Sequence, residues 1–173
     1  MRPTLAMSMR FAQFASSLIF ATLLAGCVTE TTFPEDQVYQ VPQGNDVARL
    51  QGAQITDTGL FAAKHTGFVM MVDRKFVKNA EENWNAPLAL APGWHEISVE
   101  YRQSVFKGRA VFKLDVEAGA RYALKIEPGA VEDSDARWCD ISIINAATGK
   151  PVLPVKRANV SGSANRYNFR PLD

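Results

Sequence analysis

Between His95 and Arg102 apolar and polar positions alternate strictly. His95, Ile97, Val99 and Tyr101 share one face, and Glu96, Ser98, Glu100 and Arg102 share the other. A two-residue period is the signature of a half-buried strand. The pattern returns at 110–117, with Ala110, Phe112, Leu114 and Val116 inward, and at 121–127, with Tyr122, Leu124 and Ile126 inward. It returns again at 137–145, where Cys139, Ile141 and Ile143 fall on one side. Turn formers separate these runs: Pro92-Gly93, Lys107-Gly108, Ala118-Gly119, Pro128-Gly129 and Thr148-Gly149-Lys150. Short alternating strands with turns between them predict a mostly β chain, a single antiparallel β-sandwich of about seven strands. Its core is expected to hold Ile97, Val99, Phe112, Leu114, Leu124, Ile126 and Ile141, which share one parity.

Other segments depart from alternation in informative ways. Phe68 to Val72 is apolar on both faces and reads as a central strand covered on both sides, or as one whose outer face another segment covers. Residues 47–55 read as a first strand, with a helix as the alternative. Residues 79–84 suggest one helical turn, with Asn79 as N-cap and Glu82 as the capping-box acid. Pro151 and Pro154 confine 152–155 to a sheet edge, because proline cannot donate to a ladder. Residues 28–46 are polar, contain Pro34 and Pro42, and read as a flexible tether. Residues 156–173 are polar and read as a loosely ordered tail. The expected division is thus 1–26 leader, 27–46 anchor and tether, 47–155 sandwich domain and 156–173 tail.

The leader has its own pattern. Arg2 and Arg10 come first, and the first acidic residue is Glu30. Residues 11–26 are interrupted only by Gln13, Ser16, Ser17 and Thr22 and end in Leu24-Ala25-Gly26-Cys27. A membrane-spanning helix needs about 20 largely apolar residues, so this run is too short to be retained as a span. The order of charge, apolar run, small residues and cysteine resembles the signal peptide and lipobox of bacterial lipoproteins. The resemblance implies cleavage before Cys27 and acylation of Cys27, with palmitate-type chains as the membrane anchor. Each buried CH₂ contributes roughly 0.8 kcal/mol, and two or more chains hold a protein on a bilayer stably. Val28 stands where an aspartate would mark inner-membrane retention in Gram-negative lipoproteins. The implied address is therefore the outer membrane, facing the periplasm. Met1, Met7 and Met9 each begin a workable leader.

Removing residues 1–26 leaves 147 residues, enough for one core, with 17 Lys and Arg against 18 Asp and Glu. This near-neutral balance, with no basic block, excludes a nucleic-acid-binding role. Lipid would consume Cys27 and leave Cys139 without an internal partner, so no structural disulfide is expected. His65 and His95 are the two histidines, and no clustered ligand set predicts a metal or cofactor.

Leu90-Ala91-Pro92-Gly93-Trp94-His95-Glu96 resembles the Pro-Gly hairpin of PEGA-type and carboxypeptidase-regulatory-like β-sandwich modules. Ala118-Gly119-Ala120-Arg121-Tyr122 and Thr148-Gly149-Lys150 resemble turns of small lipoproteins of Gram-negative bacteria. These resemblances imply a fold and an envelope address but no activity.

Candidate chemistry is sparse. His95 begins a strand on its inward face and reads either as a hydrogen-bonded residue closing one end of the domain or as a catalytic or ligand-binding group. His65 reads as a surface loop residue. There is no Gly-x-Ser-x-Gly elbow, and Ser161-Gly162-Ser163 falls in the tail. The acidic run 132–135 reads as a solvated turn, with weak calcium binding as the alternative. Cys139 reads as a small buried hydrophobe or as the site of an intermolecular disulfide. Trp84, Trp94 and Trp138 fall outside the expected core. They form either a partner-binding patch or a cap over the domain's edges. Two functional readings follow. One is a non-enzymatic, membrane-anchored binding or structural module that engages an envelope protein or glycan. The other is an envelope hydrolase or metal-assisted enzyme using His95.

Overall fold

The computed structural model describes residues 34–58, 62–130 and 137–162. The leader, Cys27, the first part of the tether, the acidic run 132–135 and residues 163–173 lie outside the described residues.

The chain is mostly β. After a three-residue 3₁₀ turn, Glu35–Gln37, come β1 (Ala48–Gln51), β2 (Ala53–Thr56), β3 (Lys64–Val72), β4 (Lys75–Phe76) and β5 (Leu88–Leu90). They are followed by β6 (Gly93–Gln103), β7 (Phe106–Val116), β8 (Arg121–Ala130), β9 (Arg137–Asn145) and β10 (Lys156–Gly162). They form one hydrogen-bonded path, β2-β3-β6-β7-β10-β9-β8-β1-β5, with β4 attached to β3. Neighbours are antiparallel except β1 and β8, which run parallel. Where alternation predicted about seven strands in two facing layers, the described residues form ten strands in a single curled sheet.

Two elements account for the difference. The first is β10, in the segment expected to be a loose tail. Lys156 to Val160 pair with β9, and Ser161 and Gly162 pair with β7. One short strand therefore joins the two halves of the sheet. Only Ala158 in it is buried, so main-chain pairing rather than apolar alternation holds it. The second is the predicted first strand, which breaks at Gly52 into β1 and β2. These two strands pair near opposite ends of the sheet yet are separated by a single residue, so the ends must meet there. A Cβ at Gly52 would lie 2.5 Å from the Trp84 carbonyl oxygen and 2.6 Å from that of Gly67. Only glycine allows three backbones to converge so closely. On the far side of this seam β3 packs on β8, and a Cβ at Gly67 would fall 2.7 Å from Ile126 Cγ2.

The curl encloses the core. All seven residues expected inside are buried, together with Leu50, Val72, Leu90, Tyr101, Cys139 and Ile143. In β7 buried and exposed residues alternate without a break from Gly108 to Val116. β3 lies between β2 and β6, and Phe68, Val69 and Val72 are buried, as its two apolar faces require. A bulge between Val69 and Met71 shifts its register against β6.

The tether is anchored earlier than its composition suggested. Val38 bridges Phe76, the Tyr39 N–H donates to the Phe76 carbonyl at 2.8 Å, and the Tyr39 hydroxyl bonds Ala89 O at 3.1 Å. Residues 152–155 make no strand. Pro151 bridges Ile144, and the Val152 N–H donates to Ile143 O at 2.9 Å.

Candidate functional site

The most constructed surface feature surrounds Trp84. Between β4 and β5 the chain turns on Asn79, whose φ of +49° lies in the left-handed region that asparagine tolerates. The Asn83 N–H then donates to Asn79 O at 2.9 Å. Asn79 therefore makes an isolated turn and not the extended N-cap expected of it, since a cap needs β-region angles. The turn delivers Trp84 to the seam. Its carbonyl accepts from the Gly52 N–H at 2.8 Å. Its indole Nε1 donates to the Gln54 amide oxygen at 3.2 Å, where Thr66 Oγ1 at 3.0 Å and Lys64 Nζ at 3.3 Å also converge. Three donors fix the orientation of that amide. Gln51 Nε2 holds the next carbonyl, that of Asn85, at 2.9 Å.

Trp84 separates two hollows. One, of about 340 Å³, is somewhat more apolar than polar and is lined by Tyr39, Leu50, Phe68, Val77 and Leu88 together with Lys78 and Asn83. The other, of about 470 Å³, is polar and is lined by Gln54, Lys64, Glu81, Glu82, Arg102 and Ser104. Beneath the polar hollow lies an ion network on the outer face of β6 and β7. Glu100, on the polar face of β6, is 5% exposed. Its carboxylate meets Arg102 Nη2 at 2.6 Å and Arg109 Nη2 at 3.3 Å, and Arg102 also pairs with Glu81. The Arg102 guanidinium lies 5.7 Å from the centre of the Phe68 ring. Paired charges of this kind satisfy a carboxylate that its neighbours would otherwise strand.

His65 is not the surface residue its glycine-flanked segment suggested. It sits on β3, 4% exposed. The Tyr101 hydroxyl lies 2.6 Å from Nδ1, and Asp57 Oδ2 lies 3.0 Å from Nε2. A hydroxyl donating to Nδ1 and an Nε2–H donating to the carboxylate satisfy every member of the chain. Burial, followed by the charges of Cys139 and Asp57, pushes Tyr101 up to about 12 against the opposing Arg137. The phenol therefore keeps its proton. Extending the period of Val69 back through Gly67 would have placed His65 inward, and a buried tyrosine hydroxyl needs such a partner.

His95 lies near the start of β6, at the far end of that strand from Tyr101. Nε2–H donates to Ala91 O at 2.9 Å, and Nδ1 faces Asp73 Oδ2 at 2.7 Å. Asp73 and Arg74 have φ of 51° and 65°, the conformation of a two-residue hairpin turn between β3 and β4. Asp73 also accepts the Glu96 N–H at 2.9 Å. Burial raises the Asp73 carboxyl, but the Glu96 N–H, the His95 bond and the charges of His95 and Lys75 outweigh it and leave it below 3.8. A depressed folded value stabilises above the ordinary carboxylate range and loses that stabilisation as pH falls through the folded value. Asparagine tolerates the same turn but cannot ionise. The stability difference between wild type and Asp73→Asn is therefore expected to narrow as pH falls below about 4. A difference in urea unfolding free energy that stays constant from neutral to acid pH would contradict this.

The remaining tryptophans lie apart. Trp94 is 72% exposed and pairs with Asp115 at one end of β7. Trp138 pairs with Asn159 on β10, which joins β7 at Lys107 and Phe106, near the other end. The two are separated along β7 by on the order of 20 Å. Trp138 covers a glycine: a Cβ at Gly129 would lie 2.5–2.7 Å from its ring. The Arg157 guanidinium sits 4.8 Å from the ring centre and pairs with Asp140 through two bonds of 2.8 and 2.7 Å. Cys139 is wholly buried and free, and burial pushes its thiol up to about 12. Among the described residues no group of three or more His, Cys, Asp and Glu side chains is placed to hold a metal ion. No family model matches the chain, and comparison with curated proteins and with solved structures finds no match.

Proposed function

We propose that this chain is an envelope lipoprotein, anchored through acylated Cys27 to the outer membrane on its periplasmic side, that binds another envelope component without chemical turnover. The face around Trp84 is its binding surface. The observation that supports this reading is the doubly fixed Trp84 between a more apolar and a more polar hollow. A rigid, half-exposed aromatic supplies contact area at small entropic cost, and such groups dominate binding energy. Tyr39, which lines the more apolar hollow, belongs to the segment leading back to Cys27. The chain from Cys27 to Val38 spans at most about 40 Å, which bounds the distance of Val38 from the anchor.

Fractionation tests both parts. Wild-type protein extracted from membranes is expected to have the mass of a chain beginning at Cys27 plus its acyl groups. A chain beginning at Val28 and exported behind a leader that is removed without lipidation should still sediment with washed envelopes. Trp84→Ala in that background should release it about tenfold or more, whereas Trp94→Ala should not. An unmodified N-terminus would overturn the anchor. Equal sedimentation of the two tryptophan variants would overturn the binding face.

A further inference from the structure

We infer that the polar hollow beside Trp84 recognises a neutral carbohydrate, an inference that rests on the binding-face reading above and names its ligand class. The side chains there suit hydroxyl groups, which donate and accept alike. Glu82 offers a carboxylate, Lys64 an ammonium group and Gln54 an amide, all around one hollow. The Trp84 indole has its N–H already committed to Gln54, so what the ring offers a ligand is its apolar surface. The C–H face of a sugar ring is the complement of such a surface, with its hydroxyl rim left for the polar groups.

Charge argues against an ion as the occupant. Lys64 and Arg102 are matched by Glu81 and Glu82, and Arg102 is already bound to Glu81 and Glu100. The hollow therefore presents no net field to concentrate an anion or a cation. Its volume of about 470 Å³ lies within the range of small-ligand sites, roughly 300–1,000 Å³. The groups are also held before any ligand arrives: Gln54 by three donors, and Trp84 through its indole and its carbonyl. Preorganisation of this kind lowers the entropic cost of binding.

The test is a glycan array carrying neutral and anionic oligosaccharides, probed with the full lipidated protein in detergent. Binding to neutral glycans is expected, reduced tenfold or more by Trp84→Ala, partly kept by Trp84→Phe and unchanged by Trp94→Ala. Unaltered thermal unfolding of Trp84→Ala separates loss of binding from loss of fold. If Trp84→Ala unfolds, a similar loss in folded Glu82→Ala carries the same conclusion. Binding only to anionic glycans, or neutral binding that ignores all three substitutions at Trp84 and Glu82, would overturn the inference. If no glycan binds while sedimentation with envelopes still depends on Trp84, the sugar assignment falls and the binding face stands. If neither occurs, both fall.

Discussion

Replacing Phe112 with alanine is expected to destabilise the protein by about 3–5 kcal/mol. The side chain is 0% exposed on β7, at the point where β6 and β7 pair Ile97 with Phe112. Alanine there forfeits the transfer energy of a ring and leaves a void that the surrounding strands cannot close, because they are tied edge to edge. For a domain of this size the melting temperature should fall on the order of 10 °C or more. Lys113, one residue along, points out of the sheet and is exposed, so Lys113→Ala should stay within about 0.5 kcal/mol of wild type. Comparable losses at the two positions would show that the register of β7 is wrong.

Gly52→Ala is the second substitution with a large expected effect, and it acts on fold and site together. The added methyl would sit 2.5 and 2.6 Å from two carbonyl oxygens. Both belong to main chain, so no side-chain rotation relieves the contact. Overpacking usually costs about 1–3 kcal/mol, and backbone on both sides places this case at the upper end. Relief requires the Trp84 turn to move outward, which breaks the Gly52–Trp84 bond. In a Trp94→Phe, Trp138→Phe background the emission of Trp84 should therefore shift towards that of a solvated indole. Arg49→Ala, on exposed β1 surface, is the control and should change neither stability nor emission. A Gly52→Ala protein as stable as wild type, with unchanged emission, would contradict the seam.

Some of this architecture was legible in the sequence, and the reason differs by element. Phe112 and Leu114 declared themselves because β7 buries one face and exposes the other, the one situation in which a two-residue period carries full information. β10 was invisible because its pairing uses main-chain groups that every residue owns, with Ala158 its single buried side chain. Lacking it, alternation alone divided the strands into two layers. Gly52 gave no signal, since glycine within a strand pattern marks a bulge as readily as a close approach. In the candidate site, Trp84 was legible as an aromatic outside the core. Its partner Gln54 was not, because an amide in a short polar strand resembles any solvated residue. The His65–Tyr101 pair shows the same limit from the inside. The parity of Tyr101 was clear, while the buried hydroxyl's need for a partner pointed to no particular residue.

Oxidative footprinting of the tryptophans, in intact envelopes and in the purified full-length protein, tests the proposed binding face most directly. Trp94, 72% exposed, should oxidise at the same rate in both and serves as the internal reference. If the Trp84 face is occupied in its native setting, Trp84 should be oxidised readily in the purified protein and be protected severalfold in envelopes. Equal oxidation of Trp84 in the two preparations, against a constant Trp94, would contradict the account.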